Sequence, residues 1–404
     1  MRNTTLVHVI ATLLTLVNHS LTLITTNSLP FKITQTTTQD DPNYLAPIFP
    51  ILPFTKYKHN PILSPNPSNK WESAYVYNPT AIVLNSTIFL LYRAQDSERT
   101  SSVGLAWSTD GYSFTRLDEP ILYPTERWEA GAGGGTEDPR IVRVNGTFYL
   151  TYTGYDLNTP QLCIATSEDL LHWKKYPPVF PGFEDIAISE RGEHIARVNH
   201  TKSAAIITEP TTDGLYHMYF GDSLFYHATS PDLLQWTPNP TPFARPTFPW
   251  ENGLIEPGPA PIKTRDGRWL LIYNAMTTGA DEYRATQYSV GQMLLDPSNT
   301  VEPQVHLSDD SLDLQNQRHH QHLHDSPQHQ QHPLSSPPPQ PPRRQRPLAR
   351  LETPFLVPST PEEERGQVDL VVFAEGLVQF QGKWFLYYGQ ADQTLGVAVA
   401  DVQP

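Results

Sequence analysis

Between Gly131 and Val142 the chain reads GAGGGTEDPRIV, with Glu137 and Asp138 adjacent and Arg140 two residues on. A carboxylate on a stiff loop beside a cation is an arrangement for moving protons: a neighbouring anion raises its pKa and a cation lowers it. The same residues also make an ordinary surface turn. Other charged residues that interrupt apolar runs separate the two readings. These are Arg93 in LYRAQ, Lys202 in HTKSAAI, Glu209 in ITEP, Asp222 in FGDS, Glu256 in LIEPGPAPI, Glu375 in FAEGLV and Asp392 in GQADQ. An unpaired charge in an apolar run is costly, so the set is read as a functional site, rich in acid with a few cations.

A repeat supplies the elements that position these residues. IFLLYRAQ, FYLTYTGYD, YHMYFGDS, WLLIYNAM and WFLYYGQAD each read as a buried strand and share a matched tyrosine: Tyr92, Tyr152, Tyr219, Tyr273 and Tyr388. After the first three come STDGYSF, SEDLLHW and SPDLLQW, with Ser, Asp two later and an aromatic six later. Ser and Asp at that spacing close hairpin turns with local hydrogen bonds. Residues 302–347 hold nearly half the histidines and few apolar residues, and are expected to be a disordered His/Gln/Pro-rich insertion. Without it, strand-rich units with no convincing amphipathic helix predict an all-β, five-bladed β-propeller over 46–404, with a pair of β-sandwiches as the alternative. Propellers carry functional groups at the mouth of the central channel.

With 28 Lys+Arg against 42 Asp+Glu and a net charge of -14, a nucleic-acid partner is excluded as the main one, since phosphate contacts require cations. The 8 Trp and 19 Tyr suit stacking on sugars as well as β packing. Residues 1–27 combine Arg2 with an apolar run from Leu6 to Ile24, a signal-peptide pattern whose alternative is an N-terminal anchor. A loose Thr-rich leader, 28–45, is expected to follow. Sequons at Asn85, Asn145 and Asn199 add support for a secretory route. Cys163 is the single cysteine, so no intrachain disulfide forms and a large packed core must supply the stability.

GTEDPRI, followed by KSAAIITEP, YFGDS, EPGPAPIKTRDGRWLLIYNAM and VVFAEGLVQFQGKWFLYYGQADQTLGVAVAD, resembles glycoside hydrolase family 130, the β-mannoside phosphorylases and β-mannosidases on a five-bladed propeller. The likeness runs from Asn78 to the C-terminus apart from the insertion. It implies that Asp138 is the general acid, acting through a hydroxyl of the bound mannose. Asn78, Arg93, Glu137, Arg140, Lys202, Asp222, Glu375 and Asp392 are then the substrate-binding set, with the glycines letting backbone approach the ligand. Inverting hydrolysis needs a second carboxylate to hold water; Glu256 or Glu209 is expected to do so, with Glu375 third. Family phosphorylases gather cations for phosphate and usually lack a carboxylate at the position of Glu256. The carboxylates here therefore favour hydrolysis of β-1,2- or β-1,4-mannosides, although Arg140 and Lys202 remain to hold phosphate.

Two other readings stand beside this one. A phosphorylase would release mannose 1-phosphate, and a silent sugar-binding propeller would keep the aromatics without the acid. The DPN at Asp41–Asn43 mimics the nucleophile motif of fructoside-cleaving propellers but lacks their strand context. No metal spacing or nucleotide loop stands out, so no cofactor is expected, with inorganic phosphate required only by a phosphorylase.

Overall fold

The structure is a computed structural model that describes residues 28–189, 193–280, 282–298, 305–307 and 346–404. It is all-β; among the described residues the single α-helix is Pro361–Glu364. Among the described residues the strands fall into five antiparallel meanders, the first two joined by one parallel bridge into an eight-stranded sheet and the fourth extended to six strands. The first runs Tyr75–Leu84, Thr87–Gln95, Ser101–Ser108 and Thr115–Arg116, and the second Gly135–Val144, Thr147–Tyr155, Pro160–Ser167 and Lys174–Lys175. The third comprises Ala204–Ile206, Tyr216–Phe220, Phe225–Ser230 and Thr237–Ala244. Leu254–Pro257, Trp269–Met276, Tyr288–Leu295 and Ala349–Leu351 form the fourth. The fifth, Val372–Phe380, Lys383–Gln390 and Thr394–Asp401, takes its outer strand from Thr55–Lys56 near the start of the described chain.

Alternation within the strands explains how five small sheets make one body. In Ile88-Phe89-Leu90-Leu91 successive side chains point to opposite faces. Phe89 and Leu91 pack against Phe148 and Leu150 of the second sheet, while Ile88 and Leu90 pack against Phe385 and Tyr387 of the fifth. Further apolar cores join the second sheet to the third, the third to the fourth and the fourth to the fifth. Packing thus passes from each meander to the next and from the fifth back to the first. Cys163 is buried in the first of these cores.

The matched tyrosines have a physical role in four of the five sheets. Tyr92, Tyr152, Tyr273 and Tyr388 donate to the buried carboxylates of Glu72, Glu129, Glu251 and Glu363 at 2.9, 2.6, 2.9 and 2.8 Å. Each glutamate also pairs with a cation: Arg116, Lys175, Arg350 and Lys56 in that order. Tyr219 packs instead on His227 and Phe243. The Ser-x-Asp turns form as expected. Asp110, Asp169 and Asp232 each accept two backbone N–H bonds, and Trp173 and Trp236 donate their indole N–H to Leu170 and Leu233 carbonyls.

Two expectations change. Residues 28–45 are docked rather than loose: Ile33 is buried, Arg143 donates to the Thr34 and Thr37 carbonyls, and Gln379 bonds Leu45 through both its amide atoms. The charged and amide side chains of the second and fifth sheets bind its backbone, a signal that low-complexity composition hides. Most of 302–347 lies outside the described residues, but the backbone of Val305–Leu307 pairs parallel with Ala349–Leu351, so that part of the insertion is a strand. Residues 1–27 also lie outside the described residues, and among those described no helix is long and apolar enough to cross a membrane.

Candidate active site

The first strand of each sheet brings one candidate to a common mouth: Asn78, Asp138, Glu256 and Glu375 on the first, second, fourth and fifth sheets, with Lys202 and Ser203 entering the third. Three of these sit at β-bulges. The ladder skips Asn78 between Tyr77 and Pro79, Asp138 between Glu137 and Arg140, and Glu375 between Ala374 and Gly376. A bulge re-aims one side chain out of the pleat, and here it aims it inward. Asn78, Asp138 and Ser203 also share a left-handed backbone, with φ of 48°, 50° and 53°. Such residues are uncommon and mark sites that the surrounding fold over-determines.

The glycines before Asp138 work differently from expectation. A Cβ on Gly135, whose φ is +132°, would lie 2.2 Å from the Ser101 carbonyl oxygen, and one on Gly134 2.3 Å from that of Tyr155. The close approach is to the first and second sheets, through a parallel bridge between Ser101 and Gly135. It fixes the start of the strand that carries Asp138.

Asp138 is 3% exposed and bound on both oxygens, by Arg93 Nη1 at 2.9 Å and Lys202 Nζ at 3.3 Å. Lys202 reaches Glu256 Oε1 at 3.4 Å, and Ser203 Oγ donates to the same oxygen. The one ammonium thus bridges the two carboxyls, 3.3 Å from Asp138 Oδ2 and 3.4 Å from Glu256 Oε1. Arg93 also holds Glu137 at 2.5 Å and lies 4.7 Å over the Tyr77 ring. Arg197 Nη2 pairs with both Asp185 and Asp222, and His200 Nε2 is 3.0 Å from Asp222.

Electrostatics divide the carboxyls. Burial alone would raise Asp138, but Lys202, Arg93 and Arg140 outweigh it and hold it well below the usual range. Burial raises Glu256 against the pull of Lys202. It pushes Glu375 up to about 8 despite Arg140, and Asp392 up to about 7 despite Arg93 and Lys202. Glu375 Oε1 pairs with Arg140 at 2.8 Å and accepts from Asn78 at 3.1 Å, while its Oε2 has no hydrogen-bond partner among the described residues. Lys202 is desolvated, yet Glu256 and Asp138 keep it firmly protonated.

Two expected residues take other roles. Glu209 is exposed, pairs with Lys263 and lines a different cavity, so it is not a base for this site. It follows the third sheet's short first strand and lies past its far end. Arg140 is 2% exposed and donates to the Asp138, Pro257 and Gly258 carbonyls besides pairing with Glu375. It is a strut between the second, fourth and fifth sheets.

Ser203, Asp185, Arg197 and His200 were not anticipated. Ser203 could have been found from its place before the third inner strand, matching Asn78 and Asp138. Arg197 belongs to a hairpin, Glu184–Ile188 with His194–Val198, that has no counterpart in the other units. The repeat therefore gave no signal for it. Asp185, His200 and Asp222 have spacing that could hold a metal ion, but Arg197 already supplies the positive charge between the two carboxylates.

Comparison with known proteins identifies the family. The family model described as beta-1,4-mannooligosaccharide phosphorylase, for glycoside hydrolase family 130, matches residues 53–306 and 343–404. A 1,2-beta-oligomannan phosphorylase of Thermoanaerobacter sp. (strain X514) is 29% identical over 357 residues, 85% of this chain and 95% of the relative. A glycosyl hydrolase structure from Bacteroides ovatus is 30% identical, with TM-score 0.68, covering 89% of this chain and 99% of that one. A further structure, reported under "The GH130 family of mannoside phosphorylases contains glycoside hydrolases that target beta-1,2 mannosidic linkages in Candida mannan", is 29% identical with TM-score 0.68 and covers 91% and 99%. With a family model matched over most of its length and a mouth of carboxylates and cations at the expected motifs, the chain belongs to glycoside hydrolase family 130 and is an enzyme.

Proposed function

We propose that the enzyme is an inverting glycosidase of β-mannosidic linkages, β-1,2 first and β-1,4 next, built on a five-bladed β-propeller whose blades are the five sheets. The ring of inter-sheet cores and the completion of the last sheet by an N-terminal strand support the propeller. One observation carries the hydrolytic reading: each cation described at the mouth already bears carboxylates. Arg93 has two, Lys202 two, Arg197 two, and Arg140 one besides three carbonyls. A phosphate dianion would have to displace them, whereas water needs only a base.

In this reading Glu256, oriented by Ser203, takes the proton of the attacking water. Asp138 delivers a proton to the leaving oxygen through a sugar hydroxyl. Asp138 is ionised in the free site, so its proton arrives as the complex forms. Glu375 and Asp392, with pKa values lifted to about 8 and 7, are the nearby store. Arg93, Glu137, Asp222 and Asn78 then hold sugar hydroxyls. Inversion is tested by ¹H NMR of β-1,2-mannobiose turnover in phosphate-free buffer, where the non-reducing unit must appear as α-mannose on top of the anomeric mixture of the reducing-end mannose; an initial excess of β-mannose over that mixture would refute it.

The names of the relatives favour a second reading, a phosphorylase, in which Lys202 leaves Glu256 to take phosphate. We also propose passage through the secretory route. Asn85 and Asn145 lie at exposed hairpin turns, and a mass decrease on deglycosylation of protein from a secreting eukaryotic host would support it. Unmodified intracellular protein would count against it.

A further inference from the structure

We propose that the far end of the inner strands holds a second, non-catalytic binding cavity for a single hexose unit. The strand Gly135–Val144 gives Asp138 to the mouth and Ile141 to Arg143 to this cavity; Tyr75–Leu84 likewise gives Asn78 to one and Ile82 to the other, and Val372–Phe380 gives Glu375 and then Gln379. At ~3.3 Å per residue the two sites lie roughly 10–15 Å apart. The Arg140 guanidinium, locked to Pro257, Gly258 and Glu375, lies between those levels. No residue of the catalytic cluster lines the cavity.

Its volume is about 250 Å³, below the ~300–1,000 Å³ of sites for drug-sized ligands. That size suits one sugar ring. The wall is neutral overall where it is most polar: Glu209 and Lys263 form an ion pair that offers an acceptor beside a donor, a pattern that matches neighbouring hydroxyls. Lys263 Nζ stands 5.9 Å over the Trp269 ring, and Tyr44 is 36% exposed, edge-on to Trp384 at 6.0 Å. Ala260 and Ile262 supply apolar surface for the C–H face of a pyranose. Segment Gln39 to Tyr44 closes one side, which gives the docked 28–45 stretch a purpose beyond stability. Assignment of the hexose as mannose rests on the function proposed above; the cavity does not.

The test uses the full chain carrying Asp138→Asn, so that ligand is not consumed. Calorimetry and ligand-observed NMR are run with mannose, β-1,2-mannobiose, glucose and galactose. Two binding events per chain are expected. One should weaken ~tenfold or more, over 1.4 kcal/mol, with Tyr44→Ala or Lys263→Ala, both at exposed positions, while each single variant with Asp138 intact keeps wild-type turnover. A single event with every sugar, or a second event that neither variant weakens, overturns the proposal. Mannoside binding at the mouth alone would leave the glycosidase reading standing without the cavity. Glucose or galactose in the cavity, with no mannoside binding anywhere, would do the reverse.

Discussion

The Glu–Tyr–cation clusters and the mouth draw on the same residue types and arrange them oppositely. In a cluster one buried glutamate meets one cation, one phenol and often the backbone. Glu251, for example, accepts from Arg350, Tyr273 and the Thr247 and Phe248 N–H groups. At the mouth, Glu137, Asp138, Asp185, Asp222, Glu256 and Glu375 share Arg93, Arg140, Lys202 and Arg197, Asp392 lies in the field of Arg93 and Lys202, and Glu375 Oε2 has no hydrogen-bond partner among the described residues. A satisfied buried pair is inert. An acid-rich set with too few cations cannot be fully ionised, so protons remain at the mouth to be moved.

The contrast is broken most strongly at Asp138. Asp138→Asn should lower kcat by ~10²–10⁴-fold, with the far-UV spectrum of the wild type retained; activity within a few-fold of wild type would remove it from proton transfer. In the clusters the effect should fall on stability instead. Arg350→Met leaves Glu251 buried without its cation and should cost about 3–5 kcal/mol in urea unfolding, with turnover per folded molecule unchanged. Tyr152→Phe should cost about 1–2 kcal/mol by loss of one charged hydrogen bond. Tyr219→Phe, in the sheet without a cluster, should stay within ~0.5 kcal/mol. Equal losses in the two phenylalanine variants would mean that the glutamates do not organise the sheets.

A pH measurement sharpens the same comparison. Glu375 is raised to about 8 by burial, so the folded state holds its proton more tightly than the unfolded chain. Its contribution to stability is full below the ordinary glutamate pKa and is lost as pH rises through about 8. In Glu375→Gln the decline in unfolding temperature between pH ~5 and ~9 should be shallower than in the wild type. An unchanged slope would show that Glu375 is already ionised in the folded protein.

The repeat was legible because matched tyrosines and Ser-x-Asp turns serve the same local purpose in several sheets. Asp138, Glu256 and Glu375 were legible because charges inside apolar strands need a reason. Arg140 was misread because sequence marks a charge but not its partners: nothing in EDPRI says that the Pro257 and Gly258 carbonyls and the Glu375 carboxyl await it. Glu209 was misread because a two-faced inner strand carries polar residues at both ends, and only the register tells which end is the mouth. Arg197 and the docked 28–45 segment were missed because neither repeats.

Hydrolysis requires that water, rather than phosphate, be the nucleophile beside Glu256. Product analysis of β-1,2-mannobiose turnover by the purified enzyme, across a phosphate series from none to saturating, tests this directly. It predicts free mannose as the only product, at a rate independent of phosphate. Mannose 1-phosphate rising in proportion to phosphate would contradict it and make the enzyme a phosphorylase.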